Sequence, residues 1–348
     1  MHKIIIIVFL IIVSSPLHGQ DKDSLQQILD DENWSSKQKI HTNIYDKNGN
    51  YSSIPIAIIK GKQKGPVFTI LSGVHGYEYP PIIATQELIQ EIDPDALIGT
   101  IIIIPLLNPN SFYSRTPFLN PQDNLNLNRV FPGNNKGTIT EKIADYITNV
   151  VISNSDVFVD IHGGDANEDL LPFVCYYNND SKRKQTQKAK KLSESSGFKY
   201  IVSYPYTLKD NQPAKYAFKQ AVQDGKVALS IECGKLGNLQ KDAVLQIKSG
   251  IYNMLSELEI YNQTESEENN FVHINKQVYI KSKHKGIFHS NYSSGDKVNK
   301  GDEIGQINNE FGDKITAVIA TDSGIVLYKI GTPPVNVGET IMCIGYYQ

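Results

Sequence analysis

The chain has 348 residues, 40% of them hydrophobic, which is enough for one large domain or two with a real core. Its 34 Lys and Arg nearly balance 37 Asp and Glu, for a formal charge of −3, so it carries no electrostatic footprint for nucleic acid. The three cysteines, Cys175, Cys233 and Cys343, lie in apolar strand-like contexts. They argue against a disulfide framework and for buried free thiols.

At the N-terminus, His2 and Lys3 precede an apolar run over 4–13 and then S-S-P-L-H-G-Q. This is the pattern of a cleaved signal peptide spanning 1–20, cut near Gly19 or Gln20. The apolar run is shorter than the ~20 residues that cross a bilayer, so no stable membrane insertion is expected after cleavage. No Cys follows it to carry a lipid anchor. The expected location is exported, periplasmic or extracellular.

The first informative element is P-V-F-T-I-L-S-G (66–73), an apolar, β-branched run that reads as a buried strand. P-P-I-I-A-T-Q-E-L-I-Q-E-I (80–92) follows with helical spacing and proline near its start. His75 and Glu78 therefore fall on a strand-to-helix loop. In an open α/β sheet, ligands bind at that edge, beyond the carboxyl ends of the strands. V-F-V-D-I-H (157–162) reads as a second such strand and delivers His162 to the same edge. Two histidines and a glutamate form a zinc set that keeps a fourth position open for chemistry, so one Zn2+ per chain is expected on His75, Glu78 and His162.

Farther along, basic residues cluster over 182–191 with helical periodicity, which predicts a solvated helix face and not a binding patch. V-A-L-S-I (227–231) is another buried-strand run, and Glu232 emerges from it. Water activated by zinc needs a base, and burial raises a carboxylate toward neutrality, so Glu232 is the candidate general base. Cys233 beside it has no base placed for it and reads as packing. The polar, acidic stretch 263–270 reads as a linker that closes a catalytic domain over 21–262. Residues 271–348 are short strands separated by glycines, which predicts a small all-β barrel or sandwich. His273, His284 and His289 share no ligand spacing there and read as ordinary surface or packing histidines.

Taken together, these motifs resemble the succinylglutamate desuccinylase and aspartoacylase family of the zinc carboxypeptidase superfamily. G-V-H-G-Y-E runs from Gly73 to Glu78, and N-P begins at Asn108 with Arg115 after it. N-L-N-R-V-F-P-G runs from Asn126 to Gly133, D-I-H from Asp160 to His162, and E-C-G from Glu232 to Gly234. Asn126 stands where many relatives carry Asp. The resemblance covers about residues 50 to 260. It implies a mixed open α/β sheet flanked by helices and an enzyme cleaving the amide of an N-acyl amino acid or small peptide by metal-activated water. It also implies that Arg115 meets the charge developing on the carbonyl oxygen, while Arg129 with Asn128 holds a substrate carboxylate.

The G-D-x-V-x-K-G-D-x-I-G pattern beginning at Gly295 is similar to biotinyl and lipoyl barrel-sandwich domains, as is usual at the C-terminus of this family. The turn A-T-D-S-G-I (320–325) holds no lysine, so a carrier role is not expected and the region reads as structural. Substrate selectivity is expected in the segments 163–172 and 203–209. Two other readings stay open: an inactive ligand-binding relative, and an exported adaptor that uses its β module.

Overall fold

The computed structural model describes residues 23–262 and 270–347. The expected signal peptide and nearly all of the expected linker lie outside the described residues. Helix α1 (Asp23–Asp30) leads into strands β1 (Ser36–Tyr45), β2 (Tyr51–Lys60) and β3 (Gln63–Ser72). Then come α2 (Tyr79–Glu91), β4 (Ile98–Ile104), α3 (Pro109–Ser114), α4 (Ile139–Tyr146) and β5 (Val157–His162). Strands β6 (Glu168–Leu170) and β7 (Phe173–Asn178) precede α5 (Arg183–Ser195), β8 (Tyr200–Pro205), α6 (Ala217–Gln223), β9 (Val227–Glu232) and α7 (Lys241–Glu257). The C-terminal residues form β10 (Val272–Lys281), β11 (Gly286–His289), β12 (Lys297–Val298) and β13 (Glu303–Asn308). They continue with β14 (Lys314–Ile319), β15 (Gly324–Ile330), β16 (Pro334–Val335) and β17 (Thr340–Tyr347). None of the described helices is long and apolar enough to cross a membrane.

Most strands join one mixed sheet in the order β1-β2-β4-β3-β5-β9-β7-β8-β10-β17-β15-β12, with β6 against β15. At its centre β4, β3, β5 and β9 run parallel. Helices cover both faces there, so the strands read as unbroken apolar runs such as I-I-I-I in β4. On one face Phe68, Ile70, Ile161 and Ile231 pack under α2, α5 and α7. On the other, Leu71, Phe158 and Ala228 pack with residues of α4 and α6. Each fully buried Ile or Phe contributes about 1.5–3 kcal/mol by leaving water.

The chain leaves β3 through α2 to β4 on one side, and β5 then pairs on the other side of β3. That reversal opens a crevice beyond the carboxyl ends of β3 and β5, where an open α/β sheet binds its ligand.

The C-terminal region is all-β, as expected, but its strands are divided between two sheets. β10, β12, β15 and β17 continue the large sheet, because β10 pairs in parallel with β8. β14, β13, β11 and β16 form a separate four-stranded sheet. Phe288, Ile304 and Ile307 of the small sheet share a core with Val326, Met342 and Ile344 of the large one.

Candidate metal and catalytic site

The site starts where β3 stops. Gly73 adopts φ +66°, and a Cβ there would lie 2.8 Å from Leu106 Cα, so only glycine turns the chain at this point. Gly76 is as confined, since its Cβ would meet the Ser111 backbone at 2.5 Å. These two glycines let a tight loop carry His75 and Glu78 to the start of α2, where Pro80 and Pro81 sit in the first turn.

There His75 Nδ1 lies 2.5 Å from Glu78 Oε1, and His162 Nδ1, from the end of β5, lies 2.9 Å from Glu78 Oε2. One ligand atom from each of the three residues can be chosen so that all lie within 4.8 Å of one another. The far edges of both rings are held. His75 Nε2 is 3.2 Å from Asn126 Oδ1, and His162 Nε2 is 3.1 Å from Asp160 Oδ1. Asn126 Oδ1 can accept an Nε2 proton of His75, which would leave Nδ1 for a metal ion, and the Asp160 carboxylate stands behind His162 as a charge contact, the kind of support that metal-binding histidines have. Donor types and geometry therefore fit a metal site.

Electrostatics agree with that placement. Burial pushes the Glu78 carboxyl up, but His75 and His162 overcome it and hold the group down at about 2. Burial alone would lower His162, yet Asp160 and Glu78 hold it well above the usual histidine range.

Glu232 ends β9 in register with His162. Burial pushes its carboxyl up to about 8; His162 opposes the shift, and Glu78, Glu168 and Asp160 add to it. A carboxyl held near neutrality beside a metal site can take and return a proton.

His75, Glu78, His162, Glu232, Asn128 and Arg129 all line one cavity of about 500 Å³. Asn128 Oδ1 accepts from Ala217 N at 3.0 Å, which ties the start of α6 to the cavity and leaves the amide nitrogen 3.4 Å from His162 Nε2. Arg129 lies 4.8 Å over the ring of Tyr216. Arg115 is the one residue selected from sequence that does not line the cavity. It caps α3 in the left-handed region at φ 51° and is exposed, while Phe118, three residues later, does reach the cavity.

Other lining residues had no role in the sequence reading. Asp165 and Glu168 lie in the segment 163–172, and Tyr204 in the segment 203–209, where selectivity was expected. Tyr177, Tyr216, Phe218 and Tyr279 complete an aromatic wall, and no local pattern marks them. Cys175, Cys233 and Cys343 are buried free thiols, as expected; Cys175 also lines the cavity. Burial pushes the Cys233 thiol up to about 12, which makes it a poor nucleophile. His273 pairs with Glu194 at 3.0 Å, an ordinary packing role.

Fold and site define an α/β protein with a His-Glu-His cluster and a buried carboxylate at the carboxyl edge of its parallel strands. The profile of the succinylglutamate desuccinylase/aspartoacylase catalytic domain matches residues 64–258. Over 299 residues the chain is 29% identical to the N-alpha-acetyl-L-2,4-diaminobutyric acid deacetylase of Halomonas elongata, covering 84% of this chain and 85% of that protein. Among solved structures it is similar to a succinylglutamate desuccinylase from a Silicibacter species, with TM-score 0.81 and 25% identity over 92% of this chain and 97% of that one. The fold is also shared with the product-bound ectoine utilization protein EutE of Ruegeria pomeroyi, at TM-score 0.80 and 24% identity over 90% of this chain and 96% of that one. The chain belongs to the succinylglutamate desuccinylase/aspartoacylase family, a family of deacylases.

Proposed function

We propose that this chain is an exported, zinc-dependent amide hydrolase that removes the acyl group from an N-acyl amino acid. The observation that carries the reading is the convergence of His75, Glu78 and His162 in a cavity where Glu232 stands in register beside His162. Zinc held there by the two Nδ1 atoms and the Glu78 carboxylate would supply Lewis-acid activation of water and of the amide carbonyl. Glu232 takes the proton of the attacking water and returns it to the leaving nitrogen, the role its raised pKa suits. Arg129 and the amide nitrogen of Asn128 receive the substrate carboxylate, which the planar guanidinium fork matches. Arg115 reaches the carbonyl oxygen only if substrate draws inward the segment that holds Phe118 at the cavity.

The Halomonas deacetylase is named for an N-acetyl amino acid, and the family for N-acylated acidic amino acids. Both support an acyl amino acid here over a longer peptide. Export rests on the charged and apolar pattern of residues 1–20. The test is hydrolysis of a panel of N-acetyl amino acids by the mature chain before and after chelation. Activity lost to chelator and restored by zinc supports the reading, and full activity in the chelated protein contradicts it.

A further inference from the structure

Beneath the metal cluster the sheet carries polar groups that the proposed reaction leaves unused. Asp160 on β5, Ser230 on β9 and Cys175 on β7 are partners in register across three adjacent strands. Their side chains share one face of the sheet, because the residues that alternate with them pack on the opposite face: Val159 and Ile161, Leu229 and Ile231, Val174 and Tyr176. It is the face from which His162 and Glu232, two residues farther along, reach the cavity.

Asp160 and Ser230 are fully buried. Among the described residues, neither carboxylate oxygen of Asp160 has a hydrogen-bond partner, and neither does the hydroxyl of Ser230. Asp160 Oδ1 meets His162 Nε2 at 3.1 Å as a charge contact only. On the other side of Ser230, burial and Glu232 push the Cys175 thiol well up, and Ser230 opposes the shift. A neutral thiol is a weak acceptor and competes poorly with a carboxylate for the hydroxyl proton.

A buried carboxylate without a donor is costly, and so is a buried hydroxyl without an acceptor. An apolar residue would fill position 230 without that cost, as Ala228 does two residues earlier on the same face. Adjacent strands lie about 4.7–4.9 Å apart and a serine hydroxyl rotates to suit its partner, so the two orphaned groups are neighbours that can satisfy each other.

We propose that Ser230 is a positioning residue of the metal site: its hydroxyl donates to Oδ2 of Asp160, the oxygen left over by His162, and holds that carboxylate against the imidazole. The proposal rests on the zinc reading above and deepens it. With Asp160 held from both sides, the His162 ring keeps the orientation that presents Nδ1 beside Glu78. Without Ser230 the carboxylate is free to turn, and the ring loses its fixed support.

The test uses an isosteric pair in the mature chain. Ser230→Thr and Ser230→Val place the same branched shape beside the same neighbours, so a packing penalty falls on both, and only threonine keeps the hydroxyl. Zinc affinity, read by competition with a chromogenic chelator, should stay within about 3-fold of wild type in Ser230→Thr and fall by about 10-fold in Ser230→Val and Ser230→Ala. The visible absorption of the cobalt-substituted protein, which follows ligand geometry, should be shared by wild type and Ser230→Thr and altered in Ser230→Val.

A double-mutant cycle tests the link to Asp160. Once Asp160→Ala has removed the carboxylate, adding Ser230→Ala should change zinc affinity by less than about 2-fold. This arm decides the matter if the branched variants do not fold, since Ser230→Ala removes a single atom. Equal zinc affinity in Ser230→Thr and Ser230→Val, or a full loss on adding Ser230→Ala to Asp160→Ala, overturns the proposal and leaves the zinc reading standing. A wild-type chain that binds no zinc overturns both.

Discussion

The cavity has two walls built by different means. His75, Glu78, His162 and Glu232 stand at the ends of β3, β5 and β9, which are adjacent parallel strands, and each is announced by a short motif. Asp165, Glu168, Tyr204 and Tyr279 stand on the other wall, assembled by the pairing of β6 with β15 and of β8 with β10. Chemistry needs a few residue types in fixed geometry, and strand ends supply that locally. Selectivity needs a surface, and this wall comes from strands that pair over long stretches of chain, Tyr200 with Val272 and Leu170 with Tyr328. Substitutions in the first wall should therefore reduce turnover of every substrate alike, and those in the second should change the ratio between substrates.

Among variants that keep the metal, the largest effect should come from Glu232→Gln. It preserves shape and abolishes proton acceptance, so kcat should fall by at least ~100-fold on every substrate with zinc content unchanged. Near wild-type kcat in single-turnover assays would assign the base elsewhere.

The arginines should separate next. Arg115→Ala should lower kcat by ~100-fold or more if the exposed side chain moves onto the carbonyl oxygen in the transition state. An unchanged kcat would leave Arg115 outside the machinery. Arg129→Ala should mainly raise KM, because a carboxylate clamp acts equally in ground and transition states. Steady-state kinetics with a substrate and its carboxamide measures this, and the carboxamide should be hardly worse for the variant than for wild type.

The smallest effect on this wall lies behind the ligands. Asp160→Asn and Asn126→Ala should weaken zinc affinity by about 10–100-fold, since the first removes the charge behind His162 and the second the acceptor behind His75. Competition with a chromogenic chelator reads this directly, and unchanged affinity in both would mean that Nε2 contacts do not prepare the site.

The same division explains what was legible in the sequence. The run 66–73 anticipated β3, 80–92 anticipated α2, and V-F-V-D-I-H coincides with β5, because a buried parallel strand and an amphipathic helix carry their periodicity locally. The ligand cluster was readable because its spacing is dictated by one turn and one strand end. Asn126 was quoted only as part of a motif, and its contact with His75 required a fold across 51 residues. Arg115 was placed by resemblance alone; it caps α3, exposed and outside the lining of the cavity. The C-terminal strands were recognised as all-β from their glycines and alternation. Their continuation of the large sheet was hidden, because an edge pairing such as β8 with β10 leaves no mark within either strand.

The central claim is that His75, Glu78 and His162 hold one metal ion that the reaction requires. Metal analysis of the mature wild type and of His75→Ala, Glu78→Ala and His162→Ala, each shown folded by circular dichroism, tests it most directly. The account predicts about one zinc per wild-type chain and strongly reduced zinc, with lost hydrolysis, in each variant. Full zinc occupancy in all three variants would contradict it.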